Sequence, residues 1–146
     1  MNQNNPYFYR RIVLAKLFID GNYAEAIDVN EIASEGAFSK HHFIRQFKKV
    51  YGKTPYNYLK QVRIQKACEL LESTRTVQEV CFAVGYDSLS SFSGLFKRAT
   101  GSTPSDYQNA WLARSAGIAS KPLAHVPGCF ADAHGWKNSN FEEMKL

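Results

Sequence analysis

The 146-residue sequence has no apolar run close to the roughly eighteen residues that a membrane-spanning helix needs. It also lacks the opening basic and apolar segments of a secretory signal peptide. Cysteines are few, and the three present show no C-x-x-C spacing, which favours a reduced chain in the cytoplasm. The spacing of His125, Cys129 and His134 fits no common metal site. No hydrolase, P-loop or H-E-x-x-H motif occurs and the carboxylates form no pair, so we expect no catalytic residue, cofactor or metal.

Acidic residues are missing from one long stretch of the chain. Between Ser39 and Lys66 lie 28 residues, of which eight are Lys or Arg and none is Asp or Glu. The whole chain has 18 basic and 13 acidic residues, a net charge of +5. A solvated helix face usually mixes both signs, because opposite charges four residues apart stabilise a helix. A stretch of one sign therefore favours a polyanionic partner.

The sequence contains an internal repeat. The motif F-x-x-x-F-K-x-x-x-G-x-T-P-x-x-Y occurs at 43–58 and again at 92–107. A shorter motif, V-x-E followed by Ile or Val and then Ala or Cys, occurs at 29–33 and 77–81. Identities at fixed spacing over this length indicate a duplicated structural unit.

Each copy of the repeat predicts a helix, a short turn and a second helix. Asp28 and Thr76 are suited to N-cap the first helices, and Glu31 completes a capping box after Asp28. A turn at 36–38 precedes the second helix of the first copy, which Ser39 caps, and Gly52 ends that helix. The apolar spacing predicts that the buried faces of the two second helices consist of Phe43, Phe47 and Val50, and of Phe92, Leu95, Phe96 and Ala99.

The segments around the repeat complete an all-α prediction. Residues 55–73 form an amphipathic linker helix about 28 Å long, and residues 7–19 form a packing helix. We therefore predict two homeodomain-like helix-turn-helix subdomains with about seven helices in all and an irregular C-terminal tail. The boundaries are 1–53 for the first subdomain, 54–73 for the linker helix, 74–114 for the second subdomain and 115–146 for the tail. Gly117 and Pro122 should break any long helix in the tail, whose apolar residues favour packing on the domain or on a partner.

These features resemble the AraC/XylS family of bacterial transcription regulators. The resemblance rests on the double helix-turn-helix, the basic linker helix and the two G-x-T-P-x-x-Y endings, and it covers roughly residues 7–112. Gly85 and Tyr86, followed by F-x-x-x-F-K at 92–97, lie in its most diagnostic stretch. The chain has no room for the ligand-sensing domain of most members, so it is similar to the short, single-module members or to the end of a longer protein.

The resemblance implies a function and its partners. The two second helices would enter successive major grooves on one face of double-stranded DNA, with the protein bound as a monomer. The family implies a bacterial, cytoplasmic, nucleoid-associated regulator with no membrane partner. It also implies a contact with RNA polymerase, and activation more often than repression.

A helical wheel identifies candidate DNA contacts on the first recognition helix. With Phe43 turned inward, the outward arc carries His41, Ile44, Arg45 and Lys48. Arg can bond guanine through two hydrogen bonds, and Arg45 stands where similar family members place a base-contacting Arg. We therefore expect base contacts from His41, Ile44 and Arg45. The lysines nearby are expected to bind phosphates, and they are Lys40, Lys48 and Lys49.

The second recognition helix carries less sequence information. Its outward arc holds Ser90, Ser93, Gly94 and Lys97, and we expect the two serines to reach bases and Lys97 a phosphate. Gly94 occupies a position where many family members carry Arg. The first unit should therefore dominate specificity, while the second contributes positioning.

Two other classes of function stay open at this point. A protein-interaction module could keep the fold and lose operator binding, using the apolar tail, although protein contacts alone would not require an acid-free basic stretch. A nucleic-acid enzyme is a third class, because some DNA-repair proteins contain this fold beside a reactive cysteine. No cysteine here lies in a recognisable alkyl-acceptor motif.

Overall fold

The computed structural model describes residues 6–35 and 39–120, and within these ranges the chain is helical, with no strand. The all-α prediction is confirmed. No helix in the described ranges is long and apolar enough to cross a membrane. Over the described ranges the helices are α1 (Pro6–Asn22), α2 (Val29–Glu35), α3 (Lys40–Tyr51), α4 (Pro55–Leu71), α5 (Val77–Ala83), α6 (Leu89–Thr100) and α7 (Pro104–Ser120).

Helices α1 to α6 lie in one compact unit that ends at Pro104, and the described residues from Ser105 to Ser120 belong to a second unit. Within the first unit, α2 and α3 form one helix-turn-helix pair, and α5 and α6 form the other. Helix α1 packs against α2, α3 and α4, whereas α5 packs against α4 and α6. Helix α4 therefore touches elements of both pairs.

Reciprocal capping fixes the start of the first helix in each pair. The Asp28 N–H donates to Glu31 Oε2 at 2.8 Å, and the Glu31 N–H donates to Asp28 Oδ1 at 2.9 Å. Thr76 and Glu79 repeat this arrangement at α5, with bonds of 2.7 and 3.2 Å. Backbone donors stabilise the charged carboxylates and so hold the pKa values of Asp28 and Glu79 below their usual range. The capping box predicted at Asp28 is confirmed.

Glycine ends both second helices in the same way. Gly52 has φ +73° and Gly101 has φ +87°, and each N–H donates at 2.9 Å to the carbonyl four residues earlier. This left-handed conformation is strained for other residues. The predicted stop at Gly52 is thus confirmed, whereas Ser39 precedes α3 without a side-chain capping bond.

Paired phenylalanines anchor both second helices. Phe43 and Phe47 are fully buried, as are Phe92 and Phe96. The first pair packs in a core with α1, which supplies Phe8, Ile12, Ala15 and Ile19.

Two predicted core positions are wrong. Val50 is 40% exposed, because Tyr51 takes the inward place in the last turn of α3, with its ring centroid 4.7 Å from that of Phe47. Ala99 is exposed and lines a cavity of about 580 Å³ between α6 and α4, and Leu95 beside it is only half-buried.

The ends of α4 and α7 differ from their predicted positions. Helix α4 ends at Leu71, two residues early, and its 17 residues span about 25 Å. Helix α7 continues to Ser120 through Gly117, six residues beyond residue 114, where the second subdomain is predicted to end. A single glycine lowers helix stability by about 1 kcal/mol relative to alanine but does not block the helix. The turn at 36–38 and the tail from residue 121, with its His and Cys residues, lie outside the described residues.

Candidate nucleic-acid interface

Helix α3 has a buried aromatic side and an exposed basic side. Opposite the buried phenylalanines, Ile44 is half-buried and the polar residues predicted to meet DNA are exposed, namely Lys40, His41, Arg45, Lys48 and Lys49. Gln46, at 6% exposure, lies on the buried side. The structure therefore leaves the proposed base-reading and phosphate-binding side chains of α3 outside the aromatic core.

Both second helices end in a basic pair. Lys48 and Lys49 stand in the last turn of α3, and Lys97 and Arg98 stand in the last turn of α6. Cations at a helix C-terminus also interact favourably with the helix dipole. Arg98 is exposed and was missed in the sequence reasoning, although it aligns with Lys49 at the repeat offset of 49. The repeat itself was the signal that could have found it.

Helix α6 has an exposed face of small side chains. Ser90 is exposed, with its Oγ 3.0 Å from that of Ser88, and Ser93 is half-buried. A Cβ placed on Gly94 would meet a single neighbour within 4 Å, the Nη1 atom of Arg98 at 3.7 Å. Where α3 presents Arg45, α6 therefore presents Gly94, with serine hydroxyl groups nearby and the Arg98 guanidinium beside the glycine.

The acid-free basic stretch, residues 39–66, divides into a first part that ends with Lys49 and a second part that begins at Lys53. The cations of its second part interact within the protein. Lys53 donates to Gln61, the Lys60 ammonium lies 4.2 Å from the centre of the Tyr56 ring, and Lys66 pairs with Glu69 at 2.8 Å. Arg63 donates to two backbone carbonyls of the α1–α2 connection. These four side chains are half-buried, whereas the basic side chains of α3 and of the end of α6 are exposed. The candidate DNA-facing charge therefore lies on α3 and on the end of α6.

Both described cysteines are at least half-buried. Cys81 is fully buried, its Sγ lies 3.5 Å from the Tyr86 carbonyl oxygen, and burial raises the pKa of its thiol. Cys68 is half-buried on α4. Over residues 6–35 and 39–120, no group of three His, Cys, Asp or Glu side chains could hold a metal ion.

Comparison with known proteins places the chain in a family. The sequence pattern of a helix-turn-helix domain family matches residues 32–110, which is more than half of the chain. The MmsAB operon regulatory protein of Pseudomonas aeruginosa is 36% identical over 83 residues, covering 56% of this chain and 27% of that protein. The bifunctional transcriptional activator and DNA repair enzyme AdaA of Bacillus subtilis is 32% identical over 92 residues, covering 62% of this chain and 44% of that protein. The chain thus spans less than half the length of these two relatives.

A solved structure shows the same fold bound to DNA. The DNA-binding domain of the global transcriptional factor AdpA, crystallised with a target DNA, superposes with a TM-score of 0.68 at 31% identity. The match covers 70% of this chain and 94% of that domain. With the matched pattern and the paired helix-turn-helix units, this likeness shows that the chain belongs to the helix-turn-helix family of AraC-type transcriptional regulators, over its DNA-binding domain.

Proposed function

We propose that the chain binds double-stranded DNA in a sequence-specific manner by inserting α3 and α6 into successive major grooves. One observation carries the proposal. Two repeated helices each bury a phenylalanine pair on one side and end in a basic pair, and a single helix about 25 Å long connects their units. With the widths of the two units added, this length approaches the roughly 34 Å between successive major grooves on one face of DNA.

The exposed side chains of α3 have distinct proposed roles. Arg45 would bond a guanine edge, with His41 beside it and Ile44 against a thymine methyl group. The lysines would bind phosphates, which hold the protein in register without reading sequence. On α6, Ser90 and Ser93 would reach base edges. The proposed phosphate contacts are Lys40, Lys48, Lys49 and Lys97.

The regulatory context is part of the same proposal. One chain carries both units, so a monomer can occupy two half-sites. AdaA is named as a transcriptional activator, and this supports activation rather than repression. The proposed protein partner is RNA polymerase, and the proposed location is the bacterial cytoplasm, on the nucleoid. A role without enzymatic activity fits the buried, high-pKa thiol of Cys81, since a reactive cysteine needs an accessible thiolate.

Selection of binding sites from random duplexes with the purified protein tests the proposal. We expect an enriched two-part motif that binds about 1,000-fold or more tightly than a scrambled duplex of equal length at the same salt concentration. The Arg45→Ala variant is the matched control, because it should reduce the preference for the motif by about 1–3 kcal/mol while keeping the lysines of α3. Recovery of no enriched sequence would count against sequence-specific binding.

The alternative of a protein-interaction module has one observation in its favour. Helix α1 exposes apolar side chains, with Val13 at 44%, Leu14 at 45% and Leu17 at 53% exposure. In that case, substituting these side chains with Ser would abolish function in the cell, while the Arg45→Ala variant would stay active. DNA selection would then return no motif.

A further inference from the structure

The side chain of Arg63 joins two parts of the chain that are far apart in sequence. It projects from the middle of α4, where its Nε donates to the Tyr23 carbonyl oxygen at 2.7 Å and its Nη2 donates to the Glu25 carbonyl oxygen at 2.8 Å. Both carbonyls belong to the connection between α1 and α2. Hydrogen bonds from a charged guanidinium are stronger than those between neutral groups, and the two bonds together fix the plane of the guanidinium. Helix α4 is thereby attached to the first helix-turn-helix pair.

The second helix-turn-helix pair also contacts Arg63 and the α1–α2 connection. The Arg63 guanidinium carbon lies 5.3 Å from the centre of the Tyr86 ring, in the turn between α5 and α6. Gly85 has φ +85°, and a Cβ there would lie 2.6 Å from the Ala24 carbonyl oxygen and 3.0 Å from Arg63 Nη2. This turn therefore lies against the backbone of the α1–α2 connection, and only a residue without a side chain allows the approach.

These contacts form a junction, made by Ala24, Arg63, Gly85 and Tyr86, between the two helix-turn-helix pairs. Helix α4 sets how far apart the pairs lie, but contact at a second place is needed to stop them rotating about that helix. We propose that Arg63 is a positioning residue, which sets the rotation of α6 relative to α3 and so the half-site spacing that the protein accepts. The inference rests on the proposed function, because spacing has meaning only on a two-part DNA site.

The proposal gives Arg63 a role different from that of its basic neighbours. Its Nε and Nη2 atoms already bond carbonyl groups of the protein and its side chain is half-buried, so we expect its removal to leave the number of phosphate contacts unchanged. Lys66 stands three residues later on the same helix, and its hydrogen bond goes to Glu69 of that helix rather than to the α1–α2 connection. The Lys66→Gln variant therefore removes one positive charge from α4 and leaves the junction intact.

The test measures binding to a selected operator and to versions with one base pair inserted or deleted between the half-sites. Each change rotates one half-site by about 35° relative to the other. We expect the wild-type protein and Lys66→Gln to lose roughly tenfold or more in affinity on either altered operator. The Arg63→Gln and Gly85→Ala variants should bind the original operator more weakly but lose less than about threefold when the spacing changes. Arg63→Lys keeps the charge but has no planar guanidinium. Its loss of affinity on the altered operators should lie between that of the wild-type protein and that of Arg63→Gln.

A second measurement needs no DNA. Solvent exchange of the Arg63 Nε proton, followed by nuclear magnetic resonance, should be slow in the free wild-type protein, and should become fast in Gly85→Ala although Arg63 is unchanged. Fast exchange in the wild-type protein would overturn the proposal. So would an Arg63→Gln variant of native helical content that keeps the wild-type dependence on spacing. Failure of the wild-type protein to select any operator would refute the proposed function, and the exchange measurement would still decide whether the junction exists.

Discussion

The Arg98 side chain lies one helical turn beyond Gly94, with its Nη1 atom 3.7 Å from the point that a Cβ at residue 94 would occupy. Apart from the adjoining residues and the backbone of α6 itself, no other atom lies within 4 Å of that point, so there is room for a side chain at Gly94. Glycine in the interior of a helix is unfavourable because it loses more backbone freedom on folding than any other residue. Neither crowding nor backbone conformation requires glycine at this position.

Gly94→Ala should therefore stabilise the domain. We expect the free energy of unfolding to rise by about 0.5–1 kcal/mol in urea titrations. Gly101 provides a matched control, because its surroundings are equally open but its φ is +87°, so Gly101→Ala should destabilise the domain. If both substitutions change stability in the same direction, the assigned difference in backbone conformation is wrong.

The fold could be predicted from sequence because local signals agreed with the repeat. Capping residues, helix-ending glycines and phenylalanine spacing each pointed to the same two helix-turn-helix units. The errors arose where tertiary contacts decide which side chain is buried. Val50 fits the apolar spacing, yet Tyr51 occupies the inward position, where its ring packs against that of Phe47. Periodicity gives the direction of a side chain but not which neighbour reaches the core first.

The candidate site was predicted less completely than the fold. The charge count identified the basic stretch. It could not show that Arg63 donates hydrogen bonds to the carbonyl groups of Tyr23 and Glu25, about forty residues earlier. Partners so distant in sequence leave no local pattern. Arg98, in contrast, was detectable by repeat alignment with Lys49. The roles of individual residues toward DNA stay predictions.

The first DNA-binding prediction concerns salt. Helices α3 and α6 carry six Lys and Arg residues, and with Arg45 assigned to a base about five can neutralise phosphates. The logarithm of the binding constant should therefore fall with the logarithm of salt concentration with a slope of about −4.5. Fluorescence anisotropy at several salt concentrations measures it. Lys48→Gln should make the slope less negative by about 0.9, whereas Lys66→Gln should leave it unchanged. A slope near zero would contradict DNA binding through phosphates.

A second prediction separates base contacts from phosphate contacts on α3. Arg45→Ala should weaken binding to the selected operator by about 1–3 kcal/mol and binding to random duplex only slightly. Lys48→Ala should weaken binding to both duplexes equally, because phosphates are the same in every sequence. Parallel titrations of the two duplexes at one salt concentration measure the difference. Equal losses on both duplexes for Arg45→Ala would remove that residue from the base-reading set.

A further prediction concerns pH and the start of α5. The pKa of Glu79 lies below its usual value of 4.5, chiefly because the Thr76 backbone N–H donates to the carboxylate. A lowered pKa in the folded state adds stability above pH 4.5, and this stability is lost as the pH falls toward the lowered value. Glu79→Gln should thus be less stable than wild type at pH 7, and the difference should shrink below pH 4.5. Urea unfolding at pH 7, 5, 4 and 3 measures this, and a difference independent of pH would exclude the charge as the cause.

The last prediction is an asymmetry between the two halves of the operator. Arg45 can read guanine through two bonds, whereas the facing surface of α6 carries Ser90, Ser93 and Gly94, and a hydroxyl group can bond several base edges. We expect a site of about 20 base pairs with its halves one helical turn apart. Single mismatches should cost about 1–3 kcal/mol under α3 and clearly less under α6. Gly94→Arg, which has room beside Arg98, should raise the mismatch costs under α6 alone. Base-by-base substitution of the operator, with affinities measured for both proteins, gives the mismatch costs in each half. Equal costs in the two halves for the wild-type chain would show that α6 reads sequence without an arginine at position 94.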